Sequence, residues 1–100
     1  MLVAFSIAPS SEDPDGGVSE AVARAVGIVR ASGLPNHTDS MFTTLEGEWD
    51  ECMAVIKECV DTLSEESPRV SLVLKADIRP GFTGQLEAKV QRVERHLAGE

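Results

Sequence analysis

Residues 41–53 read MFTTLEGEWDECM, and inside this stretch the chain changes its period. Thr43, Thr44 and Leu45 are strand formers, and Gly47 marks the end of the run. Beyond it Cys52, Met53, Ile56, Cys59, Val60 and Leu63 recur at helical spacing, which predicts a helix from Trp49 to Glu66 with Pro68 just past its end. Four carboxylates (Glu46, Glu48, Asp50, Glu51) crowd around the only tryptophan. They raise two readings: an acidic site that does chemistry, or a strand handing over to a helix. Glu48, Asp50 and Glu51 fall in the opening helical turn, where unpaired N–H groups and the positive dipole end favour carboxylates, so helix-start electrostatics accounts for them. No EF-hand loop and no histidine at ligand spacing accompanies them, and no metal is expected.

Working outward, residues 2–8 (LVAFSIA) alternate, with Val3, Phe5 and Ile7 on one face and Leu2, Ala4, Ser6 and Ala8 on the other. Pro9 is expected to stop this strand, and SSEDPDGG to form a polar loop. From Val18 to Ser32 the positions Val18, Ala21, Val22, Ala25, Val26 and Val29 predict a helix, closed by Gly33. Gly27 costs about 1 kcal/mol relative to alanine in a helix, which points to close packing against a neighbour. LPNHTDS offers a short polar strand. RVSLVLKADI (69–78) is the clearest strand, with Val70, Leu72, Leu74, Ala76 and Ile78 facing one way. After RPGFTG a last helix carries Leu86, Val90, Val93 and Leu97 as a narrow stripe.

The order is strand, helix, strand, strand, helix, strand and an additional helix. It predicts an α+β fold: a ferredoxin-like βαββαβ sandwich with an extra C-terminal helix, forming a single domain over residues 1–100. The sheet face carrying Leu2, Ala4, Ser6, Phe42, Thr44, Ser71 and Val73 has no helix of the basic unit to cover it. That surface and the stripe of the last helix predict a homo-oligomer.

The formal net charge of −8 argues against nucleic acid and anionic membrane surfaces as partners and suits a cationic or neutral small ligand. No apolar run reaches the roughly 18 residues a membrane span needs. The N-terminal run lacks a basic lead-in, and it reads as a strand rather than a signal peptide. Cys52 and Cys59 lie seven apart on one helix, roughly 10 Å between Cα atoms, too far for a disulfide. Two reduced packing thiols in a cytoplasmic protein are the simplest account.

No nucleophile–base pair, P-loop or GxGxxG is present, so an enzyme is the least favoured class. The DGG at 15–17 precedes a helix and reads as a bare turn. His37 reads as a loop histidine and His96 as a helix-end one. Trp49 either packs at the strand–helix junction, the preferred reading, or stacks on a ligand ring. Ser6, Thr43 and Thr44 put small hydroxyls in mid-strand, where they serve either strand propensity or the orientation of a heteroaromatic ligand.

LVAFSIAP, the central SGL, M-x-T-x-LEGEWDE-x-M-x-x-IKEC, SLVLKADIRPG and EAKVQRVERHL together resemble the thiamine-binding protein family over nearly the whole chain. The resemblance implies a ferredoxin-like domain that dimerises through its sheets and forms a homotetramer through the C-terminal helix. It also implies binding of thiamine or its hydroxymethylpyrimidine part with no reaction and no cofactor. Carried onto this chain, it places Ser6, Met41, Thr43 and Thr44 in the pocket, with Asp39 receiving the ligand's amino group or positive charge; in a site so placed, Trp49 or Phe42 would supply an apolar wall. The chain departs from the family pattern at Phe42, where a glycine is frequent. The rival reading is a structural or regulatory oligomer without a dedicated ligand.

Overall fold

The computed structural model of the chain describes residues 1–10 and 18–99. In order these form β1 (Leu2–Pro9), α1 (Ser19–Ala31), β2 (Asn36–Thr38), β3 (Thr43–Glu46), α2 (Trp49–Ser64), β4 (Val70–Asp77) and α3 (Gln85–Leu97). The strands make one antiparallel sheet in the order β2-β3-β1-β4, the arrangement expected of the split βαβ unit. The DGG at 15–17 lies outside the described residues. Pro9 is the last residue of β1 rather than its stop, sitting opposite Val70 where a missing N–H does no harm.

One side of the sheet is the core. Val3, Phe5 and Ile7 of β1 and Leu45 of β3 are buried against Ala21, Ala25 and Val29 of α1 and Cys52, Ile56, Cys59 and Leu63 of α2. Each fully buried aliphatic side chain here contributes roughly 1.5–3 kcal/mol. The two helices approach through small side chains: the Cys59 thiol donates to the Ala25 carbonyl at 3.5 Å. Gly27, expected at a close contact, is not at one. It is exposed, and a Cβ built on it would meet nothing within 4 Å. Gly33 does adopt the left-handed conformation, φ 78°, that its place after α1 requires.

The start of α2 is held as its sequence suggests, by Glu51 reaching back to accept the Glu48 N–H at 2.9 Å. Trp49, by contrast, does not pack in the core; it is 53% exposed on the first turn of α2. Its position points it outward because the buried stripe of α2 runs through Cys52, Ile56 and Cys59, and residue 49 falls to one side of that line.

Glu46 behaves unlike its acidic neighbours. It ends β3 opposite Leu2, on the sheet face away from the core, and is nonetheless buried. Its carboxylate accepts the N–H groups of Gln85 at 2.9 Å and Leu86 at 3.1 Å. The residue before α3 is Gly84, which has no side chain with which to cap, so β3 supplies the acceptor that the helix start lacks. An ion pair between Lys89 and Asp77 makes a second tie between α3 and the sheet. Held this way, α3 rests over one end of the otherwise open sheet face, with Val90, Val93 and Leu97 exposed.

Three outcomes follow from this packing. Gly27→Ala will raise the urea midpoint, by up to about 1 kcal/mol in stability, because the helix gains and no neighbour is displaced. Glu46→Ala will leave two helix-start N–H groups without an acceptor, a loss of about 1–2 kcal/mol seen as faster hydrogen exchange in 85–97 than in β1. Burial pushes the Cys59 thiol up to about 11. The unfolded chain's thiol ionises first, near pH 8.5, so Cys59 adds stability below that pH that is lost as pH climbs toward 11. Urea unfolding at pH 8 and pH 10.5 will show a smaller alkaline loss in Cys59→Ala than in the parent.

Candidate functional site

β1 outruns its neighbour. It pairs with β4 along all eight residues but with β3 only from Leu2 to Phe5, so Ser6–Pro9 have a strand on one side alone. The space where β3 would continue is a groove of about 210 Å³ between β1, the β2–β3 connection and α1. Five of the residues expected to form a pocket meet there: Ser6, Asp39, Met41, Phe42 and Thr43. Its apolar wall comes from Ile7 and from Val22 and Val26 of α1.

The rim is rigidly made. β2 and β3 form a hairpin with Thr38 opposite Thr43, and their hydroxyls lie 3.3 Å apart. Asp39 opens the connecting turn: its Oδ1 accepts the N–H of Met41 at 2.8 Å and of Phe42 at 2.9 Å, while its own N–H donates to the Phe42 carbonyl at 2.9 Å. These backbone donors, Met41's foremost, hold the Asp39 carboxyl below the usual carboxylate range, with His37 adding a smaller pull. The rim therefore presents an ionised carboxylate anchored through one oxygen. Met41 stands 72% exposed at the mouth, and Phe42 is half-buried beside it.

Two expected residues lie elsewhere. Thr44 follows Thr43 on β3, and adjacent residues of a strand point to opposite faces; it lies on the open face with Leu2 and His37, in a separate cavity of about 630 Å³ under α3. Trp49, on α2, borders neither space. Thr38 and the valines of α1 were not singled out from the sequence. The hairpin register would have exposed Thr38, since a strand either side of a four-residue connection pairs it with Thr43.

A third space, about 550 Å³, opens beside the start of α2 and is edged by Glu48, Glu51, Phe82 and Glu87. Glu46 also borders it, but its carboxylate is already committed to α3, and Glu51 is engaged with the Glu48 N–H. The thiols offer no reactive centre. Burial raises Cys52 as it raises Cys59, which keeps both as thiols near neutral pH.

The groove thus combines hydroxyls, one anchored carboxylate, an aromatic ring and an apolar wall, the makings of a small-molecule site. The same chain has relatives along its length. A UPF0045 protein of Mycobacterium bovis is 49% identical over 98 residues, covering 97% of this chain and 94% of that protein. The solved structure of a hypothetical protein from Methanocaldococcus jannaschii superposes with a TM-score of 0.83 at 29% identity, over 93% of this chain and 94% of that one. A Thermotoga maritima protein provisionally assigned to thiamine biosynthesis or salvage superposes with a TM-score of 0.75 at 26% identity, over 90% and 96% of the two chains. Residues 3–94, the whole span from the first core residue of β1 to the last turn of α3, match the model of one family, and the chain is accordingly a member of the thiamine-binding protein family.

Proposed function

We propose that the chain binds thiamine, or the hydroxymethylpyrimidine that makes up part of it, and carries out no reaction on it. Family membership carries this reading, and the assignment of the Thermotoga neighbour to thiamine biosynthesis or salvage agrees with it. The groove bordered by Ser6, Asp39, Phe42 and Thr43 is where we place the ligand. Its 210 Å³ falls short of the roughly 300–1,000 Å³ that engulf a whole drug-sized molecule, which suits one ring inside and the remainder at the mouth. In this reading the aminopyrimidine enters, its amino group donating to Asp39 and its ring lying against Phe42. The cationic thiazolium stays near solvent in the field of a chain with net charge −8.

The same reading makes the protein a cytoplasmic homo-oligomer, assembled through the open sheet face and α3 into a tetramer. Two buried, unpaired thiols suit a reducing compartment. Among the described residues no helix is long and apolar enough to cross a membrane. The exposed stripe of Val90, Val93 and Leu97 also supports the second reading, an oligomer whose surfaces serve assembly alone.

Isothermal titration with thiamine and with hydroxymethylpyrimidine separates the two. Saturable heat from at least one of them is expected. Thr43→Val will weaken it about fivefold, the worth of one net hydrogen bond, whereas Thr44→Val on the opposite face will leave it unchanged. No heat at millimolar ligand from a protein that still sediments as an oligomer would favour the assembly reading.

A further inference from the structure

The groove has a main-chain wall as well as side-chain ones. At the start of β1 the Gly47 N–H donates to the Met1 carbonyl at 3.1 Å, so Met1 turns its backbone polar groups toward the β3 side. Those groups alternate sides along an antiparallel strand, and Val3, Phe5, Ile7 and Pro9 therefore turn theirs the same way. The far end agrees: the Ser10 N–H points to the other side and donates to the Arg69 carbonyl at 2.8 Å. Leu45 and Thr43 of β3 stand opposite Val3 and Phe5, but the pairing stops there. Ile7 is next in the series, and no group among the described residues takes its N–H or its carbonyl. Ile7 borders the groove and is only 7% exposed. A main-chain donor and acceptor left together at a buried position are costly without a partner.

Pro9 narrows what that partner can be. It is the following residue on the same edge and has no N–H, so this end of β1 offers a single donor, at Ile7, and cannot run on as a hydrogen-bonded ladder. Proline at an open edge guards it against an added strand. A small molecule fits these terms, and an extended peptide does not. We propose that the Ile7 N–H and carbonyl are the recognition edge of the groove, for a planar heteroaromatic ring that carries an acceptor nitrogen beside an amino group. The two groups of one extended residue point the same way, side by side. The ring nitrogen of an aminopyrimidine accepts from the Ile7 N–H while one amino hydrogen donates to the Ile7 carbonyl. The second amino hydrogen is then left for Asp39, whose carboxylate borders the same groove and is anchored by the Met41 and Phe42 N–H groups. This recognition rests on the groove being the ligand site proposed above, and it gives that site its selectivity. A ring without amino hydrogens leaves both the Ile7 carbonyl and Asp39 facing it with no donor.

Amide resonances of the intact chain, followed by NMR, provide the test, with 4-aminopyrimidine and 4-(dimethylamino)pyrimidine as probes. In the free chain the Ile7 amide will exchange with solvent faster than that of Phe5, which is paired. Saturating 4-aminopyrimidine will shift the Ile7 resonance together with those of Phe42 and Thr43, and will slow Ile7 exchange at least about tenfold. The dimethylamino probe, which has no hydrogen to donate, will bind at least about tenfold more weakly. An ester in place of the Ser6–Ile7 amide removes the donor and keeps the side chain. In a chain still folded by circular dichroism it will weaken 4-aminopyrimidine about fivefold. Shifts at Phe42 and Thr43 with an unchanged Ile7 amide would overturn the recognition edge while leaving the groove as the ligand site. Equal affinity for the two probes, or an Ile7 amide as protected as Phe5 in the free chain, would overturn the edge as well. No shift at any of the three residues would overturn the edge and the groove together.

Discussion

The geometry beyond the core turns on one buried carboxylate. The sandwich of β1–β4 with α1 and α2 closes on its own apolar contacts, but nothing in that closure says where α3 should go. Its stripe is exposed and Gly84 cannot cap it, so packing gives it little hold. Glu46 settles the matter by lending β3's last side chain to two N–H groups of α3. A carboxylate in this position meets unpaired donors and the positive end of the helix dipole together. The placement of α3 over the open face, and with it the cavity around Thr44, follows from this contact and from the Lys89–Asp77 pair.

Most of the architecture was legible because it is written in local periods. The change at Gly47, the alternation of 70–77 and the helical spacing of 18–32 each depend on neighbours a few residues away, and each element appears within a residue or two of its expected bounds. What escaped depends on partners far along the chain. Glu46 looked like one more acid at a helix start, and only the fold brings Gln85, 39 positions later, against it. Gly27 suggested contact, yet its side of α1 faces solvent while Ala25 and Cys59 make the close approach. Trp49 failed for a related reason: bulk and apolarity argue for burial, but its angular position on α2 places it off the buried stripe.

The candidate groove shows the same division. Ser6, Asp39, Met41, Phe42 and Thr43 were expected together and are brought together. Thr44 was grouped with them although strand alternation alone sends it to the other face; the family resemblance drew attention to a segment, and a segment of strand serves two sides. The groove itself exists because β1 is eight residues long and β3 four. A longer β3 would have paired Ser6–Pro9 and closed the space. The difference in strand length is therefore as much a part of the site as any side chain, and it cannot be seen in either strand separately.

The contact that positions α3 is asymmetric in a way that bears on how such chains diverge. Its acceptor is a particular side chain, but its donors are main-chain N–H groups, which every residue except proline carries. So far as this contact is concerned, positions 85 and 86 are free to drift to nearly any identity without disturbing the helix's seat, whereas position 46 is held to a residue that can reach and accept twice. Lineages of this fold can thus rewrite the surface of their last helix, and hence what it meets, while keeping the hinge on which it is mounted.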